Sequence, residues 1–274
     1  MQTLSSYFKP DGATRGGTLA AGQQSSGGIG QLLRHFVKQP ILGSLLLLLA
    51  PLLIYAPVLS GDLIWDDRYL VEQNPFFRSP IFACEVFRQH LFLDSPSEYY
   101  RPVQNWSYML DYLLWRGSST GYHLTNILLH AASAVLLHRL LRVILPEVVG
   151  GLGSDRHQFI ERAALLIPLA WVVHPAHNAA VAYISGRADS LASVLALTAW
   201  LFWLKAVGAK DGLRRVAQLM LAAILLILAL CSKEIALLWA LLFAIYVVVV
   251  SRGYSRSCRL LTLGLTTGLV LLYL

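Results

Sequence analysis

Residues 41–59 read ILGSLLLLLAPLLIYAPVL, a run with no charge in it. The hydrocarbon core of a bilayer is about 30 Å thick and takes about 20 apolar residues of helix to cross, so this stretch has the length of a span. Arg34 and Lys38 precede it, as in a secretory signal. The run begins late, however, is long, and has no A-x-A cleavage pattern, so the reading is a retained first span.

The rest of the chain extends the reading. Of its 274 residues 56% are hydrophobic and 14% charged, and the mean hydropathy is +0.58. A soluble domain of this length does not bury so much apolar surface. Further candidate spans are 122–141, 163–174, 191–204, 216–231, 235–250 and 260–274. The expected fold is therefore all-α, a polytopic helical membrane protein with about seven spans. Residues 1–40, rich in Gly, Ser and Gln, predict a disordered cytoplasmic tail. Residues 41–274 form the membrane domain, with a long outer loop at 60–121.

The formal charge of +7 does not point to nucleic acid, because the basic residues sit in short clusters beside apolar runs. With the amino terminus inside, inner segments carry 15 Lys and Arg and outer segments 7, as the positive-inside rule requires. Cys84, Cys231 and Cys258 are widely spaced and imply no disulfide framework.

The outer loop is too long to be a plain connection. Phe82, Val86, Phe87 and Leu91 recur at helical spacing, as do Trp106, Met109, Leu110, Leu113 and Leu114, with Arg88, Gln89 and Asp111 between them. Two amphipathic interfacial helices are expected, their Trp and Tyr residues at headgroup level.

Four polar clusters then emerge on one side of the membrane: Trp65-Asp66-Asp67-Arg68-Tyr69, Tyr100-Arg101-Pro102, His174-Pro175-Ala176-His177 with Gly186-Arg187-Ala188-Asp189, and Ser232-Lys233-Glu234. Ionisable groups near hydrocarbon are costly and mark pairing or function. Asp66 and Asp67 are adjacent carboxylates suited to general-base work, or else to capping the next helix. Arg101 is suited to a phosphate, or to snorkelling at the interface. Arg187 and Asp189 pair with each other, or with Lys233 and Glu234, or bind a ligand. His174 and His177 have ligand spacing but no evident third partner, so no metal is expected. His123, Asn126 and His130 form a polar stripe best explained by contacts between helices. Gly264 and Gly268 make a GxxxG packing signal.

These motifs, with Gly121-Tyr122-His123-Leu124-Thr125-Asn126-Ile127-Leu128-Leu129-His130, resemble in order and interval the transmembrane and tetratricopeptide-repeat O-mannosyltransferase family, over roughly residues 41–250. The resemblance implies a GT-C glycosyltransferase that inverts the sugar and needs no cofactor. It implies a polyprenyl-phosphate sugar donor, with mannose the sugar that the family name suggests, and a protein or glycan acceptor on the periplasmic or lumenal side of a bacterial inner or ER membrane. Asp66 takes the place of the catalytic acid, with Asp67 orienting it. Arg101, Arg187 and Lys233 are then the cations for the donor phosphate, supported by Trp65, His174, His177, Asp189 and Glu234. The family has further spans and a C-terminal repeat array, so the chain reads as its amino-terminal part or a reduced homologue. A lipid-linked-sugar transporter or flippase, or a non-catalytic membrane scaffold, are the alternatives.

Overall fold

The computed structural model describes residues 40–88, 91, 99–149, 156–251 and 254–273. The expected disordered tail lies outside them except for Pro40, as does Gln89 of the first expected interfacial helix.

Each of the seven apolar stretches is helical. α1 (Pro40–Ile54) leads into a 3-10 turn at Ala56–Ser60. The helices that follow are α2 (Pro102–Trp115), α3 (Ser119–Val148), α4 (Arg156–Val172), α5 (Arg187–Gly208), α6 (Gly212–Leu230), α7 (Ala236–Ile245) and α8 (Arg256–Tyr273). Among the described residues there is no strand. Three of these helices, α3, α5 and α6, are long and apolar enough to cross a membrane. A fourth span results if α4 and the helical turns at Pro175–Ala182, bent by 50° from it, count as one. α1 and α7 are shorter apolar helices. Length and composition thus support fewer spans than the seven expected. The break after α4 falls at His174-Pro175, where proline disfavours helical backbone in the residue before it.

Over its described residues 82–88, the first expected interfacial helix is replaced by 3-10 turns at Pro80–Phe82 and Glu85–Arg88. Tertiary contacts, not a helical ladder, hold this segment. The Trp106 indole N–H donates to the Ala83 carbonyl (2.8 Å), the Tyr100 hydroxyl to that of Phe87 (3.0 Å), and Phe87 meets Trp106 edge-on. α2 forms as expected, with most of its apolar residues turned outward. Its buried face carries Gln104, Asn105, Tyr108 and Asp111, while Trp106, Leu110, Leu113 and Leu114 are exposed. An outward apolar stripe beside a buried polar face is what an element lying in lipid requires.

Of the polar stripe on α3, Asn126 and His130 bond to neighbouring segments, while His123 is buried with neither ring nitrogen hydrogen-bonded, and His138 further along the helix bonds as well. The Asn126 amide donates to the carbonyls of Tyr183 (2.7 Å) and Val181 (3.3 Å), His130 Nε2 meets the Val172 carbonyl at 3.0 Å, and His138 Nδ1 meets that of Ala164 at 2.8 Å. The Gly264/Gly268 motif does not mark a close approach, because a Cβ on either would meet nothing within 4 Å.

Candidate functional site

The site begins where the chain leaves α1. Trp65 has φ 47° and ψ −117°, a backbone state that a bulky residue adopts at a cost of about 1–3 kcal/mol. It starts a helical turn at Asp66–Arg68, and this twist splits the acidic pair. Asp66 stays exposed and Asp67 is fully buried. Trp65 is 82% exposed, its indole stacked at 6.1 Å and 17° on the Tyr183 ring.

Asp67 is committed to structure. Its two carboxylate oxygens accept the backbone N–H groups of Ser185 (2.8 Å) and Ile184 (3.2 Å). The same loop is held from α2, where the Gln104 amide donates to the Ser185 carbonyl (2.9 Å) and the Tyr108 hydroxyl to that of Ile184 (3.3 Å). Gly186 closes the loop against Ala179, whose carbonyl oxygen would lie 2.1 Å from any Cβ at that position.

Arg187 follows at once and is also fully buried. Its guanidinium pairs with Asp111 (2.6 Å), donates to the Tyr122 carbonyl (3.3 Å) and lies over the Tyr108 ring at 4.5 Å. Burial pushes the Asp111 carboxyl above the ordinary carboxylate range, against the opposing pull of Arg187 and of hydrogen bonds from Thr125 and Trp115. This partner is not legible from spacing, because Asp111 reads in the sequence as the polar face of α2.

The other two cations are nearer the surface. Arg101 is half-buried, pairs with Glu234 (2.9 Å) and lies 4.8 Å from the centre of the Tyr99 ring. Lys233 pairs with Asp189 at 2.7 Å. Burial acts to raise the Glu234 carboxyl, but its own backbone N–H and the charges of Arg101 and Lys233 outweigh this and hold it below the ordinary value. The Val103 N–H donates to the Cys231 carbonyl (3.2 Å), tying the start of α2 to the end of α6. All four polar clusters therefore meet at one end of the bundle, where each of the three cations has its own carboxylate.

At this end a cavity of about 430 Å³ is lined by His130, Trp171, His177, Asp189, Ser193 and Trp239, among others. His177 packs on Trp171 (4.4 Å between ring centres) and on His130 (5.3 Å). His174 accepts the Ala176 N–H through its ring nitrogen. Asp66, Arg101, Arg187 and Lys233 do not line this cavity, although Asp189, the partner of Lys233, does. Among the described residues no group of three or more His, Cys, Asp or Glu stands ready to hold a metal ion.

Among the described residues the chain is all-helical with membrane-length helices, and its clustered ionisable residues gather at one end of the bundle, beside a cavity. No family model matches it, and no solved structure does. Curated proteins do. The chain is 28% identical over 209 residues to protein O-mannosyl-transferase TMTC4 of Mus musculus, covering 72% of this chain and 28% of the relative. It is 29% identical over 209 residues to protein O-mannosyl-transferase Tmtc1 of Drosophila melanogaster, covering 74% and 22%. With a Caenorhabditis elegans protein O-mannosyl-transferase it shares 27% over 175 residues, covering 61% and 24%. The resemblance carried by the motifs is thus to curated O-mannosyl-transferases of that family, and the chain spans about a quarter of the length of these relatives.

Proposed function

We propose that this chain is part of a membrane glycosyltransferase that moves a sugar, mannose by analogy with the names of its relatives, from a polyprenyl phosphate to a hydroxyl of a protein or glycan. The reaction takes place on the outer or lumenal side, within a GT-C-like domain of about seven spans. The observation that carries the reading is the split of the acidic pair: Asp66 is exposed beside a strained Trp65, and Asp67 is locked to the loop that leads into Arg187.

Asp66 accepts the proton of the acceptor hydroxyl as its oxygen attacks the anomeric carbon. The bond from that carbon to the phosphate oxygen breaks, and the phosphate leaves as an anion. Lys233 and Arg101 are the cations at hand. Their carboxylates are 36% and 45% exposed, so an arriving phosphate can displace them without stripping a buried pair. Arg187, sealed against Asp111, acts instead as a positioning residue beneath the loop. Two tryptophans, two histidines and Asp189 line the 430 Å³ cavity, a mixture of ring faces and hydrogen-bonding groups suited to a sugar.

Membranes carrying the protein, supplied with labelled polyprenyl-phosphate mannose and a peptide acceptor, test the proposal. Label appears on the peptide, and Lys233→Gln raises the donor concentration needed. Label remaining wholly on the lipid contradicts the reading.

A further inference from the structure

A second cavity, of about 420 Å³, lies between α5, α6, α7 and α8. Ala199, Ala222 and Ala223 on α5 and α6 line it together with Trp200, Trp203 and Trp239. Its polar lining includes Arg215, Ser255 and Ser257, which stand at the starts of α6 and α8. Those starts are at the opposite end of the bundle from Lys233 and Glu234, which follow the end of α6.

The polar groups deeper in its wall are mostly spent. The Trp203 N–H donates to the Thr262 hydroxyl (3.0 Å), which itself donates to the Cys258 carbonyl (2.9 Å), and the Trp239 N–H donates to Ser193 (3.2 Å). Trp200 is the exception. It is 7% exposed, and its indole N–H has no partner.

The mouth is basic. Among the described residues no carboxylate forms an ion pair with Arg214, Arg215, Arg256 or Arg259. The nearby Asp211 carboxylate caps α6 by accepting the N–H groups of Leu213 and Arg214.

We propose that this cavity holds one acyl chain of an anionic phospholipid from the adjacent leaflet, with its phosphate at Arg215, Ser255 and Ser257. Close-packed interiors do not keep a void of this size, and in a bilayer the available filler is a lipid chain. A basic pocket between spans selects anionic headgroups. Neither Asp66 nor Lys233 takes part, so the lipid site stands or falls independently of sugar transfer.

The test uses the purified chain in nanodiscs of equal parts phosphatidylcholine and phosphatidylglycerol, with retained lipid counted by native mass spectrometry after gentle extraction. One phosphatidylglycerol per chain is expected. Arg215→Gln, a change at an exposed side chain, should weaken retention about five-fold, the worth of one basic residue at an anionic surface, and Arg215→Lys should keep most of it. In a variant whose one remaining cysteine is Cys258, which lines the cavity, phosphatidylglycerol should slow alkylation by a membrane-permeant maleimide. The proposal is overturned if the two lipids are retained in their bulk ratio, if no lipid is retained, or if Arg215→Gln retains phosphatidylglycerol like the unmodified chain.

Discussion

Asp67 and Ser185 are 118 positions apart and are joined by a 2.8 Å hydrogen bond from the serine N–H to the carboxylate. Through it the first segment after α1 fixes the loop that leads into α5. Removing the carboxylate strands two buried N–H groups, and each orphaned group costs about 1–3 kcal/mol. Asp67→Ala should lower the melting temperature in detergent markedly, whereas Asp66→Ala, at an exposed position, should hardly move it. Equal effects of the two changes on the melting temperature would remove the division of labour between them.

Arg187 and Asp111 form a buried pair, and breaking such a pair costs about 3–5 kcal/mol because it leaves one charge uncompensated. Arg187→Met should therefore be strongly destabilising, and adding Asp111→Leu should recover much of the loss. A double variant no better than the single one, by thermal unfolding in detergent, would mean that Arg187 acts on something other than Asp111.

The Arg101–Glu234 pair should open in acid. The Glu234 carboxyl is held below its ordinary value of 4.5, so its contribution is fully present above that value and is lost as pH falls through the lowered one. The melting temperature should fall less on acidification below pH 4.5 in Glu234→Gln than in the unmodified chain. Identical acid profiles for the two would show that the pair contributes nothing.

The proposed orientation, amino terminus inside, puts 15 Lys and Arg on inner segments against 7 on outer ones. Cys84 is exposed and should react with an impermeant thiol reagent on intact cells, while Cys258 should react only after permeabilisation. The reverse pattern would put Asp66 on the wrong face.

Much of this was legible in the sequence because bilayer length and helical period are local properties. All seven apolar stretches became helices, and the stripe Asn126–His130 met its helix neighbours as the spacing required. The segment 82–91 misled because its apolar spacing is satisfied by packing on Trp106 and Tyr100 without a helical ladder. α2 formed where the helical spacing placed it, and its exposed Leu110, Leu113 and Leu114 suit an element lying in lipid. The division between Asp66 and Asp67 rests on the backbone of Trp65, a tertiary property that two adjacent letters cannot carry. The partner of Arg187 was hidden in the same way, since Asp111 lies 76 positions upstream and its contact with Arg187 is tertiary.

The central claim is that Asp66 is the base, and one comparison tests it most directly: initial rates of mannose transfer from a polyprenyl phosphate by Asp66→Asn and by the unmodified protein, in a longer form if transfer needs one, at matched amounts in the membrane. The change keeps the shape of the side chain and removes its basicity. A rate lowered about 10²- to 10⁴-fold, with the melting temperature and donor binding unchanged, is the predicted result. Turnover within a few-fold of the unmodified protein would contradict the account and take Asp66 out of the mechanism.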